Sequence, residues 1–267
     1  MSGSNAADPP VLTARAGHVL LVTLNRPEVH NAVDHRVAAL LGEAVEGASE
    51  DPDVWALVLT GAGGRAFSAG ADLKAMVDGA TITAPGHQEW GFAGFVKHFT
   101  PVPVIAAVEG WALGGGTEIC LACDIVVAGD TARFGLPEVH RGIIPGGGGL
   151  LRLVAQIPEK RALQLIYTGE QIAAADACML GLVNEVVPAG TALRRALEIA
   201  EQICANAPLA VQAAKRVARR HGGPEARRET ERWDESDRER LALATTEDAR
   251  EGIAAFVEKR RPRWRAR

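Results

Sequence analysis

The stretch "PVIAAVEGWALGGGTEICLACDIVVA", residues 103–128, holds the key to the fold. It opens on a short apolar, β-branched run (103–108) and closes on another (124–128). Between them, after glycines 114–116, the apolar spacing becomes that of a helix. Strands apolar throughout belong to a sheet covered on both faces, and their alternation with helices makes an α/β architecture.

The same pattern extends outward. Residues 18–24 (HVLLVTL), 54–60 (VWALVLT) and 182–187 (LVNEVV) read as strands, and 34–49 as a helix between two of them. The organisation changes after about residue 190. Stretches 191–205, 209–221, 225–244 and 246–260 read as helices, broken at Pro208 and at Gly222-Gly223-Pro224. The chain thus divides into a lead-in (1–10), an α/β core (11–190) and a helical C-terminal region (191–267).

The bulk numbers narrow the function. With 267 residues, 47% of them hydrophobic, the chain can bury a substantial core. A net charge of -4 calls for neither nucleic acid nor an anionic membrane. No apolar run reaches the ~20 residues of a membrane span. The opening "MSGSNAADPP" has neither the basic nor the apolar part of a signal peptide and reads as a flexible lead-in. These features predict a soluble, cytoplasmic protein. Cys120 and Cys123 form a CxxC, but no second CxxC or histidine pair accompanies it. They read as reduced, buried residues rather than a redox pair or half a zinc site. The basic end "EKRRPRWRAR" (258–267) is either a solvated tail or a contact for phosphates.

Glycine marks three places: "TGAGGRAFSAGADL" (60–73), "LGGGTE" (113–118) and "PGGGGL" (145–150). The first contains GxGxxA, yet Phe67, Ser68 and Gly70 follow where a helix should open. An acidic strand end roughly 20 residues later is also missing, so a dinucleotide site is disfavoured. No P-loop motif occurs, and Ser68 lacks the first glycine of a nucleophile elbow. Gly70 and glycines 114–116 either permit tight turns or let backbone N–H groups approach a ligand at a helix start. Two such N–H groups on one oxygen would form an oxyanion hole. Glu118, one turn after the triplet, and Glu138, in "FGLPEVHRGIIPGGGG", sit among apolar and turn residues. Singly, each reads as a cap or a backbone-bonded carboxylate. Together they read as an acid/base pair facing one pocket.

These residues carry a resemblance. "VTLNRPEVHNAVD" (22–34), "AFSAGADLKAM" (66–76), the stretch 103–139 and "GIIPGGGGLLRL" (142–153) resemble the enoyl-CoA hydratase/isomerase (crotonase) family. The likeness continues through "GLVNEVVP" (181–188), "NAPLAVQAAK" (206–215) and "EGIAAFVEKRRPRW" (251–264). It implies a spiral of repeated ββα units followed by helices that mediate trimerisation, as a homotrimer or a dimer of trimers. It implies an acyl-CoA thioester substrate and no metal or redox cofactor. By position it puts the oxyanion-hole amides on Ala71 and Gly115 and the catalytic glutamates on Glu118 and Glu138. Ala69, Ala71, Asp72, Leu73 and Lys74 would border the adenine and pantetheine path, with Gly115 at the thioester. Arg26, and Lys259 and Arg260 of a neighbouring subunit, would approach CoA phosphates.

Retention of both glutamates implies a hydro-lyase, an enoyl-CoA hydratase. The alternatives are a Δ3-Δ2 enoyl-CoA isomerase, a dehydratase of a polar acyl-CoA, and a silent acyl-CoA-binding protein. Acyl preference is expected to depend on a pocket roof over 76–99, where "DGATITAPGHQEW" reads as loop. Trp90, Phe92 and Phe95 there are either core or acyl-tunnel residues. His87 and His98 read as surface or loop histidines, with local acids as the other reading, and His140, close after Glu138, as a residue that tunes the site.

Overall fold

The computed structural model describes residues 8–77, 79, 81–219 and 224–265. Residues 1–7 of the expected lead-in, and Gly222 and Gly223 of the expected break, lie outside the described residues.

The chain begins with β1 (Val11–Ala16) and β2 (Val19–Leu24), an antiparallel hairpin turning at Gly17. Helix α1 (His35–Glu50) follows; Asp34 caps it by accepting from the N–H groups of Arg36 and Val37. Then come β3 (Ala56–Gly61), β4 (Ala66–Ser68) and α2 (Leu73–Val77), and a hairpin of β5 (Thr83–Ala84) and β6 (His87–Phe92). The next unit is β7 (Val104–Val108), β8 (Trp111–Leu113) and α3 (Gly115–Ala122). After it come β9 (Ile125–Gly129), β10 (Arg133–Gly135), a 3₁₀ turn (Pro137–Arg141), α4 (Gly149–Gln156) and α5 (Glu159–Thr168). β11 (Gln171–Ala173), α6 (Ala174–Leu180) and β12 (Glu185–Val187) complete the α/β part. Helices α7 (Ala192–Cys204), α8 (Pro208–Ala218), α9 (Pro224–Ala244) and α10 (Glu247–Val257) follow.

Strands alternate between two sheets. β3, β7 and β9 run parallel in a six-stranded sheet of order β1-β2-β3-β7-β9-β12. Their immediate successors β4, β8 and β10 run parallel in a four-stranded sheet of order β11-β10-β8-β4. Each ββα turn therefore adds one strand to each sheet, and the chain advances as a spiral.

The inner strands β3, β7 and β9 of the large sheet are almost wholly apolar because both of their faces are covered. Leu57, Leu59, Ala106, Val108 and Val126 face α1 and the small sheet, whereas Ala56, Val58, Ile105, Ala107 and Val127 face α7. Helix α8 is pinned through Asp124, whose carboxylate accepts from Lys215 Nζ at 2.6 Å and from Arg219 Nη2 at 2.9 Å.

Sequence and structure differ at several elements, first at β1, whose mostly exposed residues do not read as a strand. The three-residue strands β4, β8, β10 and β11 are too short to carry a pattern of their own. The loop expected within 76–99 instead contains the β5–β6 hairpin, which turns at Pro85-Gly86 with Gly86 at φ +80°. Its exposed His87, Gln88 and Glu89 mask the strand, while Trp90 packs on Gly42 of α1.

Candidate active site

The three consecutive glycines each meet a different neighbour. Gly114 has φ +56°, and a Cβ there would fall 2.9 Å from Glu138 Oε1. A Cβ on Gly115 would strike the Phe92 ring, and one on Gly116 would strike the Ser68 carbonyl. Gly70, at φ +84°, completes the contact: its Cβ would lie 2.6 Å from the Gly115 nitrogen. No side chain fits between the Gly70 loop and the start of α3, so their backbones touch.

That contact brings two amides together. Val33 N–H donates to Gly70 O at 2.8 Å, and Asp72 N–H donates to Val33 O at 2.9 Å. These bonds use the groups on either side of Ala71, so the Ala71 N–H points away from Val33. Gly115 is the first residue of α3, where the N–H has no partner within the helix. Neither amide donates to a partner among the described residues. Ser68, fully buried, braces the loop by donating to Asn31 O and accepting from Gly70 N–H.

Glu118 lies in the first turn of α3 and is 3% exposed. Its Oε1 accepts from Gly147 N–H at 2.7 Å and from Gly149 N–H at 2.8 Å. Those donors come from the third glycine stretch, at the start of α4, where a Cβ on Gly147 would lie 2.5 Å from Glu118 Oε2. Burial pushes the Glu118 carboxyl up to about 7, against the two amides and the Arg152 charge, which pull it down. Glu138, on the 3₁₀ turn, keeps its Oε2 buried and without a hydrogen bond. Burial and then the Glu118 charge push Glu138 up to about 8. Two carboxyls with opposed environments can hold one proton between them near neutral pH.

The remaining expected residues fall as follows. Ala69 and Lys74 are exposed at the rim, and Leu73 is half-buried. Asp72 caps α2 by accepting from Ala75 N–H and pairs with Arg26 at 3.0 Å. Arg26 also meets Asp34 at 3.2 Å and donates to Ala32 O, so its guanidinium ties the loop together instead of standing free for a phosphate. Arg260 is likewise engaged, by Glu251 and Glu258. The tail packs on acidic residues of α10, with Arg263 N–H on Glu251 and Arg265 N–H on Asp248. Lys259 is exposed and in no ion pair among the described residues. His140 turns away from Glu138 and bonds Thr168 O through Nε2 at 2.7 Å. His98 lies in the loop that follows β6, its side chain 5% exposed, stacked on Trp90 and meeting Glu46 at 2.9 Å. Phe92 touches Gly115, which places the hairpin beside the free amides.

Cys120 and Cys123 are buried free thiols whose ionisation burial opposes. No cluster that could hold a metal occurs among the described residues. No helix there is long and apolar enough to cross a membrane. The sequence reading missed Gly147 and Gly149 as ligands of Glu118. The signal was present in the unexplained run "PGGGGL" (145–150).

A ββα spiral thus sets two free amides beside two buried carboxyls. The chain belongs to the enoyl-CoA hydratase/isomerase family, whose model matches residues 14–267. Among curated relatives, an enoyl-CoA hydratase of Mycobacterium tuberculosis is 42% identical over 97% of both chains. A 2,3-dehydroadipyl-CoA hydratase of Escherichia coli is 40% identical over 96% of this chain and 99% of its own. The crystal structure of a carnitinyl-CoA hydratase from Mycobacterium avium superposes with a TM-score of 0.94 at 51% identity, covering 97% of this chain and 99% of the other. These hydratases, with a carnitinyl-CoA dehydratase of Salmonella arizonae that is 41% identical over 94% of this chain and 96% of its own, place this chain among hydro-lyases.

Proposed function

We propose that the chain adds water across the 2,3 double bond of an enoyl-CoA thioester. The observation that carries this reading is the pair Glu118 and Glu138, both with raised proton affinity, beside the free N–H groups of Ala71 and Gly115. The two amides hold the thioester oxygen and stabilise the enolate that develops there, a charge present only along the reaction path. Glu118, with Oε1 fixed by two N–H groups, is the base that takes a proton from water as it attacks the β-carbon. Glu138, the carboxyl that holds its proton to higher pH, delivers a proton to the α-carbon. Ala69, Asp72, Leu73 and Lys74 line the approach of the CoA moiety, with no cofactor beyond the substrate. A homotrimer or a dimer of trimers is the assembly proposed, supported by the exposed Leu209 and Val217 of α8.

A second reading is the reverse reaction on a polar 3-hydroxyacyl-CoA. The relatives named carnitinyl-CoA dehydratase, 39–41% identical, favour it. Both readings use the same pair, whereas a Δ3-Δ2 isomerase needs no water between the carboxylates.

The test follows the conjugated-enoyl absorbance of crotonyl-CoA with wild type, Glu118→Gln and Glu138→Gln, alongside binding of a CoA ester. Loss of absorbance with wild type alone, while all three bind, is the expected result. Binding without turnover of crotonyl-CoA or of polar 3-hydroxyacyl-CoA thioesters would make the chain a silent binder.

A further inference from the structure

Helix α9 is dominated by charged residues, yet from residue 231 onward it buries Trp233 and Ser236, three positions apart on one face. The indole lies against Gly148: a Cβ there would fall 2.6 Å from Trp233 Cη2. Gly148, at φ +93°, separates the two glycines whose N–H groups bind Glu118 Oε1. Two cations grip the ring. Lys97 Nζ stands 4.3 Å from its centroid and Arg152 Cζ stands 5.3 Å away. Lys97 also pairs with Asp237, one turn along α9, at 3.2 Å, and Arg152 donates to Val96 O at 2.6 Å. Residues 96–97, α4 and α9 therefore close around one indole.

A run of glycines has too much conformational freedom to hold two N–H groups on one oxygen unaided. We propose that Trp233 is a positioning residue for Glu118, holding the glycine turn at 147–149 so that both amides converge on Oε1. The inference rests on the reading of Glu118 as the base. The charged groups facing Glu118 are Glu138 from the 3₁₀ turn and Arg152 from α4; Lys97, Asp237 and Arg240 surround the clamp. Arg240 lies against Gly146 of the same loop.

The experiment compares Trp233→Ala, Trp233→Phe and Lys97→Met in the full chain. It reads kcat, KM and the pH profile on crotonyl-CoA. It also reads the titration of the Glu118 carboxyl in ¹³C-glutamate-labelled protein, assigned with Glu118→Gln. Trp233→Ala is expected to lower kcat about tenfold or more with KM within about twofold. Its acid limb moves to higher pH, because weaker amide hydrogen bonds let Glu118 keep its proton, and Trp233→Phe reverses most of both effects. Wild-type kcat and an unmoved limb in a folded Trp233→Ala overturn the proposal. So does a fall in kcat with the Glu118 titration unmoved. If Trp233→Ala does not fold, Lys97→Met must shift the limb in the same direction, and an unshifted limb overturns the clamp. Should wild type turn over no thioester, the hydratase reading fails, yet the Glu118 titration in the variants still decides the clamp.

Discussion

Glu138 Oε2 is a buried oxygen without a hydrogen bond, a cost that a fold retains at a functional site. Replacing either carboxyl, by Glu118→Gln or Glu138→Gln, is expected to lower kcat by about 10²–10⁴ with CoA-ester affinity kept, as measured by turnover and calorimetry. In the proposed mechanism, activity needs Glu118 ionised and Glu138 protonated. The profile of kcat/KM should therefore rise through about 7 and fall through about 8, as macroscopic values of the pair. The same shift acts on stability. Unfolded, the Glu138 carboxyl loses its proton near its ordinary 4.5, but native Glu138 keeps it to about 8. Its contribution is full below the unfolded value and is lost as pH rises toward the folded one. Glu138→Gln should therefore be more stable than wild type by roughly 1–3 kcal/mol at pH 8, with little difference at pH 4, in thermal melts at each pH.

At the scale of elements, the site is the meeting of a loop with two helix starts. A methyl group on Gly70 would occupy the contact with the Gly115 nitrogen and force a backbone at φ +84° onto an L-residue. Gly70→Ala is expected to cut kcat/KM by about 10²-fold or more in steady-state assays, through loss of the proposed oxyanion hole. The glutamates and the first two glycine stretches were legible in sequence because each interrupts an apolar run. The β5–β6 hairpin was not legible as a strand, since its outer residues are polar and its inner ones, Trp90 and Phe92, pack on Gly42 of α1 and Gly115 of α3, distant in the chain. The Pro85-Gly86 pair was the available signal. Gly147 and Gly149 were noted as glycines, but nothing local tells which carboxylate their amides will meet.

Across the whole molecule, α8 is held to the core through Asp124, whose carboxylate takes Lys215, Arg219 and the Val104 N–H. Removing it leaves Lys215 mostly buried beside no counter-charge. Asp124→Ala is expected to cost roughly 1–3 kcal/mol in denaturant melts, because breaking a partly buried pair strands the other charge. Light scattering should find an assembly of three or six chains. Monomers at working concentration would contradict the proposed assembly.

The sequence by itself determined the α/β class and the helical C-terminal part and marked the residue types of the candidate site, because apolar period, glycine clusters and isolated carboxylates are local signals. Tertiary structure alone decided which groups are free. It engaged Arg26 and Arg260 in ion pairs, turned His140 toward Thr168, and set the glycines at 147 and 149 on Glu118. The physical reason is that a charge or an amide acquires its role from its nearest partner, and for His140, Gly147 and Gly149 that partner stands 28, 29 and 31 residues away in the chain.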